Sequence, residues 1–332
     1  MLEIQIDNRD GYLWDISGIV SEATYKTSRV GKASSFEITM IRGGLYEATE
    51  FKYNVGDVIR VRYDDEDMFY GYLFTIERGR DEEVKITAYD QLRYLMVNDY
   101  MLKSNITATQ VIQQFADKYQ LKTGELADTG YKIPKISEDG IKVMDIICKV
   151  LQATLVETGK QYIFYDNFGE LALQDAEQLV LDLSLGDISL MFDYKHKVSI
   201  EDSYNVVVLA KDNKKSGVRQ LYVEKDTDNI AKWGLLMLFQ TVDENMNEAQ
   251  INQALKNLMN LKNRISRSFQ VEAIGDIRVR AGRYLSINLE EIGMNQRFMV
   301  NDCTHKFEGN DHTMTLDLFD MRIGDAKVEV AK

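Results

Sequence analysis

Histidine is the scarcest source of chemistry in this chain of 332 residues: there are three, and two of them, His305 and His312, stand close to Cys303, Asp302 and Asp311. Nitrogen, sulfur and carboxylate ligands of that kind suit Zn²⁺. The spacing argues otherwise, because no CxxC or HxxxH pair is present, Cys303 and His305 share one face of an expected strand, and His312 falls beyond a hairpin loop. No GxSxG elbow, Walker A loop or HExxH pair occurs either. Gly275 and Gly282 bracket an alternating strand with no helix after it, which is not the geometry of a phosphate cradle. Among 53 acidic residues, Asp64, Asp65, Glu66 and Asp67 crowd one hairpin tip, and Glu290 and Glu291 crowd another. Like charges on a tip, without a shaped pocket, point to solvation or to a basic partner. The expectation is a protein with no catalytic site, metal or cofactor.

The elements carrying these residues occur twice. Gly56 precedes the alternating run Ile59, Val61, Tyr63, and Gly282 precedes Leu285, Ile287, Leu289, each landmark 226 positions after its counterpart (56 and 282, 59 and 285). The same offset sets Asp64 and Asp65 against Glu290 and Glu291, and Tyr72, Leu73 and Phe74 against Phe298, Met299 and Val300. After a longer loop, Val84, Ile86, Ala88, Tyr89 and Asp90 stand against Met314, Leu316, Leu318, Phe319 and Asp320. Alternation of period two is the mark of half-buried strands, and strands in matched order imply one small β domain used twice.

Along the chain, residues 1–97 read as the first β domain, with about six strands, turns at Asp10-Gly11 and Gly43-Gly44, and enough strands to close or nearly close a barrel. A short helical exit is expected over 91–100. Residues 98–180 read as inserted small α/β modules. The spacing predicts a helix over 107–119 capped by Thr107, a second over 142–153, and a hairpin from Leu155 through Tyr162 and Phe164 to Leu171 and Leu173, turning at Asp166-Asn167-Phe168-Gly169. Residues 181–322 read as the second barrel, opened by strands at Ile188 and Leu190, at Val198 and Ile200, at Val206 and Val208, and over 218–223 across a turn at 211–217. One long helix, 245–265, interrupts it. Its apolar stripe includes Ile251, Leu255 and Leu258, and Asn245 with Glu248 reads as a capping box. That stripe packs on the barrel wall or on a neighbouring subunit. Residues 323–332 form a tail. The fold class is α+β, mainly β.

A composition of 45% hydrophobic and 28% charged residues is that of a globular protein. One proline and no Gly/Ser run leave no evident flexible linker. The N-terminus lacks a basic segment followed by an apolar core, and the longest apolar run, 235–239, is far short of a bilayer span, so synthesis in the cytoplasm without signal peptide or membrane insertion is expected. Two distant cysteines, Cys148 and Cys303, suit a reducing compartment. A net charge of −13 disfavours specific nucleic-acid binding, though nucleic acid could pass an acidic channel without sticking.

The run Val279-Arg280-Ala281-Gly282, then Phe298-Met299-Val300, Cys303-Thr304-His305-Lys306-Phe307 and His312-Thr313-Met314-Thr315-Leu316, resembles the C-terminal part of hub proteins from contractile tails, the XkdQ/YqbQ proteins of PBSX-like prophages. Lys232-Trp233-Gly234, Asn247-Glu248-Ala249-Gln250 and Tyr165-Asp166-Asn167-Phe168-Gly169 add to the likeness. The resemblance implies two tail-tube-like barrels per chain and a homotrimer presenting six barrels, one face meeting a sixfold tube and the other a threefold spike. The implied partners are the tail tube protein, the central spike, baseplate wedge proteins and the tape measure protein, in the baseplate of a phage tail or an R-type bacteriocin. Candidate assembly contacts are Asp64, Asp65, Glu66, Asp67, Glu290, Glu291, Ile251, Leu255 and Leu258. The alternative is a baseplate-associated cell-wall-binding or peptidoglycan-degrading protein, with residues 104–160 as a LysM-like unit.

Overall fold

The computed structural model describes residues 1–43, 50–80, 82–186, 191–213 and 218–320. Gly44, Ile188, Leu190, the tip of the expected 211–217 turn and the 323–332 tail lie outside them. The first seven strands are β1 (Leu2–Asp7), β2 (Leu13–Asp15), β3 (Val20–Ser28), β4 (Ser35–Ile41), β5 (Val58–Tyr63), β6 (Glu66–Arg78) and β7 (Glu83–Tyr89). The inserted region holds a 3₁₀ turn, Gln91–Met96, in place of the expected exit helix. It continues with β8 (Asn98–Ile106), α1 (Ala108–Lys118), β9 (Thr123–Leu126), β10 (Ile133–Lys142), α2 (Val143–Thr158), β11 (Tyr162–Asp166) and β12 (Leu171–Asp175).

Local chemistry sets these helices. Thr107 Oγ1 accepts from Gln110 N at 3.2 Å while Gln110 Oε1 accepts from Thr107 N at 3.1 Å, a reciprocal cap that starts α1 where the sequence predicts. Helix α2 runs on past the expected 153 and takes in Leu155, a residue expected in the following hairpin. Gly159, at φ 72°, ends it.

The rest of the chain comprises β13 (Val180–Gly186), β14 (Met191–Ser199), β15 (Val206–Asn213), β16 (Val218–Lys225), α3 (Thr227–Trp233), β17 (Met237–Val242), α4 (Glu248–Lys262), β18 (Ser266–Ile274), β19 (Tyr284–Leu289), β20 (Met294–Glu308) and β21 (Asp311–Phe319). Strands β15 and β16, expected to open a second barrel, join β17 instead. They form their own three-stranded sheet, ordered β16-β15-β17, on which α4 packs. The capping box of α4 is Asn247 with Gln250, two residues later than the Asn245–Glu248 pair. This module leaves and re-enters between β14 and β18, where Ser203 Oγ donates to Arg264 O at 2.5 Å and Tyr204 N to Lys262 O at 3.0 Å.

Thirteen strands form one sheet, whose main path runs β14-β18-β21-β20-β3-β4-β7-β6-β5-β1-β2, with β19 on β20 and β13 on β19. The order β3-β4-β7-β6-β5-β1 recurs as β14-β18-β21-β20-β19-β13. The last pairing of each order differs in direction, β1 on β5 being antiparallel and β13 on β19 parallel. Among the described residues the ladders form an open sheet and no closed barrel. The fold is mainly β, and each half buries its own apolar cluster, around Phe36, Ile59 and Ile86 in one and Phe269, Leu285 and Leu316 in the other.

The repeat extends to irregularities. The β3–β4 ladder shifts register between Val20 and Glu22, and β14–β18 between Met191 and Asp193. The β6–β7 ladder shifts between Leu73 and Thr75, and β20–β21 between Val300 and Asp302. Gly56 N donates to Leu73 O at 2.7 Å, and Gly282 N to Val300 O at 2.8 Å, both glycines at φ near +90°. Leu73 therefore matches Val300, one residue on from the Met299 that the constant offset assigned. The cause is the preceding hairpin: Asp64 and Asp65, both at positive φ, turn in two residues, whereas Glu290–Ile292 forms a 3₁₀ turn closed by Gly293.

Candidate functional site: the junction between the halves

Strand β20 changes partner midway. Its first part pairs with β19, and from Asp302 to Glu308 it pairs antiparallel with β3, with Cys303 opposite Thr27, His305 opposite Tyr25 and Phe307 opposite Ala23. This seam makes two half-sheets one. Cys303, His305 and Phe307 are buried in it.

The histidines expected to lie apart are joined here. His305 Nε2 donates to Val279 O at 2.8 Å, and His312 Nε2 then supplies the proton between itself and His305 Nδ1 at 2.9 Å. Cys303 Sγ is 3.2 Å from His305 Nε2. Burial holds both imidazoles neutral, His305 below its ordinary pKa and His312 down to about 4, and drives the Cys303 thiol upward. With both His305 nitrogens engaged, the cluster is a hydrogen-bonded core and not a ligand set. No group of three or more His, Cys, Asp or Glu suited to a metal ion occurs among the described residues.

The residues Val279-Arg280-Ala281-Gly282 together reach three elements, β20, β11 and β3. Val279 O accepts from His305 Nε2 on β20, Arg280 Nη2 donates to Asp166 O at 2.9 Å, Ala281 N donates to Thr27 Oγ1 at 2.9 Å, and Gly282 N donates to Val300 O, again on β20. Space excludes a side chain at Gly282, where an added Cβ would lie 2.5 Å from Ile163 Cγ2. The turn Asp166–Gly169 meets the first half: Asp166 Oδ1 accepts from Gly169 N at 2.8 Å, and Phe168, at φ 52°, lies edge-on to Tyr70 at 5.8 Å and under Arg62. The insert thus bridges both halves.

The predicted contact residues fall elsewhere. Asp64 pairs with the N-terminal ammonium and Asp67 with Arg62 at 2.8 Å, so half of that tip is neutralised within the chain, while Asp65 and Glu66 are exposed. Glu290 and Glu291 are exposed. Ile251, Leu255 and Leu258 are buried against Val207 and Leu209 of their own module, so they offer no surface to a neighbour. Sequence reasoning missed Thr27 and Arg280. Thr27 carries no local signal, because its role depends on a strand some 275 residues away (27 and 303).

Among the described residues no helix is long and apolar enough to cross a membrane. Two Bacillus subtilis (strain 168) proteins, YqbQ and XkdQ of the phage-like element PBSX, are each 30% identical to this chain, over 284 and 282 residues, covering 82% of it and 84% of either relative. The tail protein from Neisseria meningitidis MC58 shares the fold, with a TM-score of 0.70 at 15% identity over 97% of both chains. The YqbQ-like family model matches residues 23–319, and the chain accordingly belongs to the YqbQ-like family.

Proposed function

We propose that this protein is the structural hub of a contractile-tail baseplate, a homotrimer whose two like half-sheets, one within residues 1–97 and one within 181–320 on either side of the 204–263 module, act as quasi-equivalent, tube-like β units. Three chains then present six such units, and a ring of six can face a sixfold tail tube on one side and a threefold spike on the other. The observation carrying this reading is the repeated strand order with its two repeated register shifts within one polypeptide. Kinship with XkdQ of a phage-like element and the fold shared with a tail protein support it. Tube, spike, wedge and tape measure proteins are the partners on this reading, and the net charge of −13 lets nucleic acid pass without adhering.

The test is the native mass of the purified chain together with the symmetry of the assembly by electron microscopy. A threefold particle with sixfold-like density at one face is the expected result. A chain that stays monomeric with tube and spike proteins present overturns the reading, and retention on or cleavage of cell-wall sacculi favours a cell-wall-active protein instead.

A further inference from the structure

The repeat within the chain specifies more than a ring. Strand β20 gives its second part to β3. By the repeat, β6 corresponds to β20 and β14 to β3, so the second part of β6 should have a strand like β14 beside it. Among the described residues neither edge is covered: β14 ends the sheet order with β18 as its one ladder partner, and β6 beyond Tyr72 pairs with β7 alone. The burial pattern agrees. Thr27, at the seam, is 5% exposed, whereas its counterpart Val198 is 54% exposed. Tyr25 is buried and its counterpart His196 is exposed, although each lies against the equivalent phenylalanine, Phe36 or Phe269.

We propose that β14 of one copy of this chain pairs antiparallel with the second part of β6 in the next copy, in the register of the internal β20–β3 seam. This deepens the hub reading and rests on it. Transferring the seam position by position sets Thr75 opposite Ser199, Ile76 opposite Val198, Glu77 opposite Lys197 and Arg78 opposite His196. The chemistry fits that register. Ile76 and Val198 are the apolar counterparts of Cys303 and Thr27 and face the core side, while Glu77 and Lys197 are opposite charges in direct cross-strand position. Two exposed strand edges would be satisfied at once. The contact is head-to-tail, the kind that generates a closed ring.

The experiment uses the full chain with Cys148→Ser, because Cys148 is partly exposed whereas the Cys303 thiol is buried and unreactive. In this background I76C with V198C places thiols on directly opposed residues, whose Cα separation of about 4.5–5.5 Å permits a disulfide. Mild oxidation is expected to yield covalent dimers and then trimers on a non-reducing gel. I76C with K197C, whose side chains lie on opposite faces, is expected to give none. E77K or K197E alone should weaken association roughly two- to fivefold per interface, and the two together should restore it. A trimer by light scattering without this cross-link, or with equal cross-linking in the control pair, overturns the register and leaves the hub reading standing. A monomer overturns both.

Discussion

The guanidinium of Arg280 lies over the Tyr165 ring, 4.3 Å from its centroid, while its Nη2 donates to the carbonyl of Asp166. One side chain thereby ties the second half-sheet to the inserted hairpin. Arg280→Ala removes the stacking and a charged donor to a partly buried carbonyl, and should cost about 2 kcal/mol. Arg280→Lys, which keeps the charge but loses the planar fork, should recover less than half of that. Urea midpoints of the two variants check this, and equal stability of all three proteins would contradict it.

Gly275 packs on His312, and a Cβ added to it would lie 2.1 Å from the imidazole Cδ2. Gly275 N also donates to His312 O at 2.8 Å, which fixes the strand at that approach. Gly275→Ala is therefore expected to lower stability by about 1–3 kcal/mol through overpacking. Calorimetry should also find that His312→Ala, combined with it, costs less than the sum of the two single changes, because the clash disappears with the ring.

The pH dependence follows from the histidines. Burial lowers His312 to about 4, against 6.5 in the unfolded chain. Between those values the unfolded chain binds more protons, so this contribution is complete above 6.5 and is lost as pH falls through about 4. Asp166, buried beside Asp90, has the opposite sign: burial raises its carboxyl above the ordinary 3.8, so its contribution is complete below 3.8 and is lost as pH rises through the raised folded value. Melting temperatures of His312→Phe and Asp166→Asn across pH 4–7, each subtracted from the parent, should slope in opposite directions. Parallel slopes would refute the assignment.

Leu258 and Ile251 anchor α4 to its own small sheet. Truncating either to Ala should cost about 2–5 kcal/mol. Asn247→Ala, which removes the cap, should cost about 1 kcal/mol. The module is joined to the main sheet by closely paired chain crossings at Ser203 and Arg264, and α4 also packs on the end of α2, where Asn257 Nδ2 donates to Val156 O at 2.7 Å, so hydrogen exchange should show the loss concentrated in 204–263 and the end of α2. Loss of protection spreading into β3 and β20 would show that module and sheet unfold together.

Much of the fold was legible along the chain because its causes are local. Thr107 and Gln110 announce α1 by side-chain chemistry within four residues, and Asp166–Gly169 announces its turn by a carboxylate three positions before a glycine. The duplication was legible because alternating strands kept their spacing around Gly56 and Gly282. Its register was misread by one position, since a two-residue turn and a four-residue turn both begin with two acidic residues, and sequence spacing does not show where a bulge absorbs the difference. Strands β15 and β16 mislead for a related reason: alternation tells which face is buried but not which sheet a strand joins.

By itself, then, the sequence determined the mainly β character, the helices with their caps and the existence of two like halves, because each is written in side-chain periodicity over a few turns or strands. Tertiary structure alone decided that those halves share one continuous sheet, that His305 and His312 meet, and that, among the described residues, β14 and the end of β6 each lack a second strand partner. Those outcomes depend on backbone hydrogen bonds between strands far apart in the chain, and backbone groups are the same at every residue, so no residue type foretells which strands they will join.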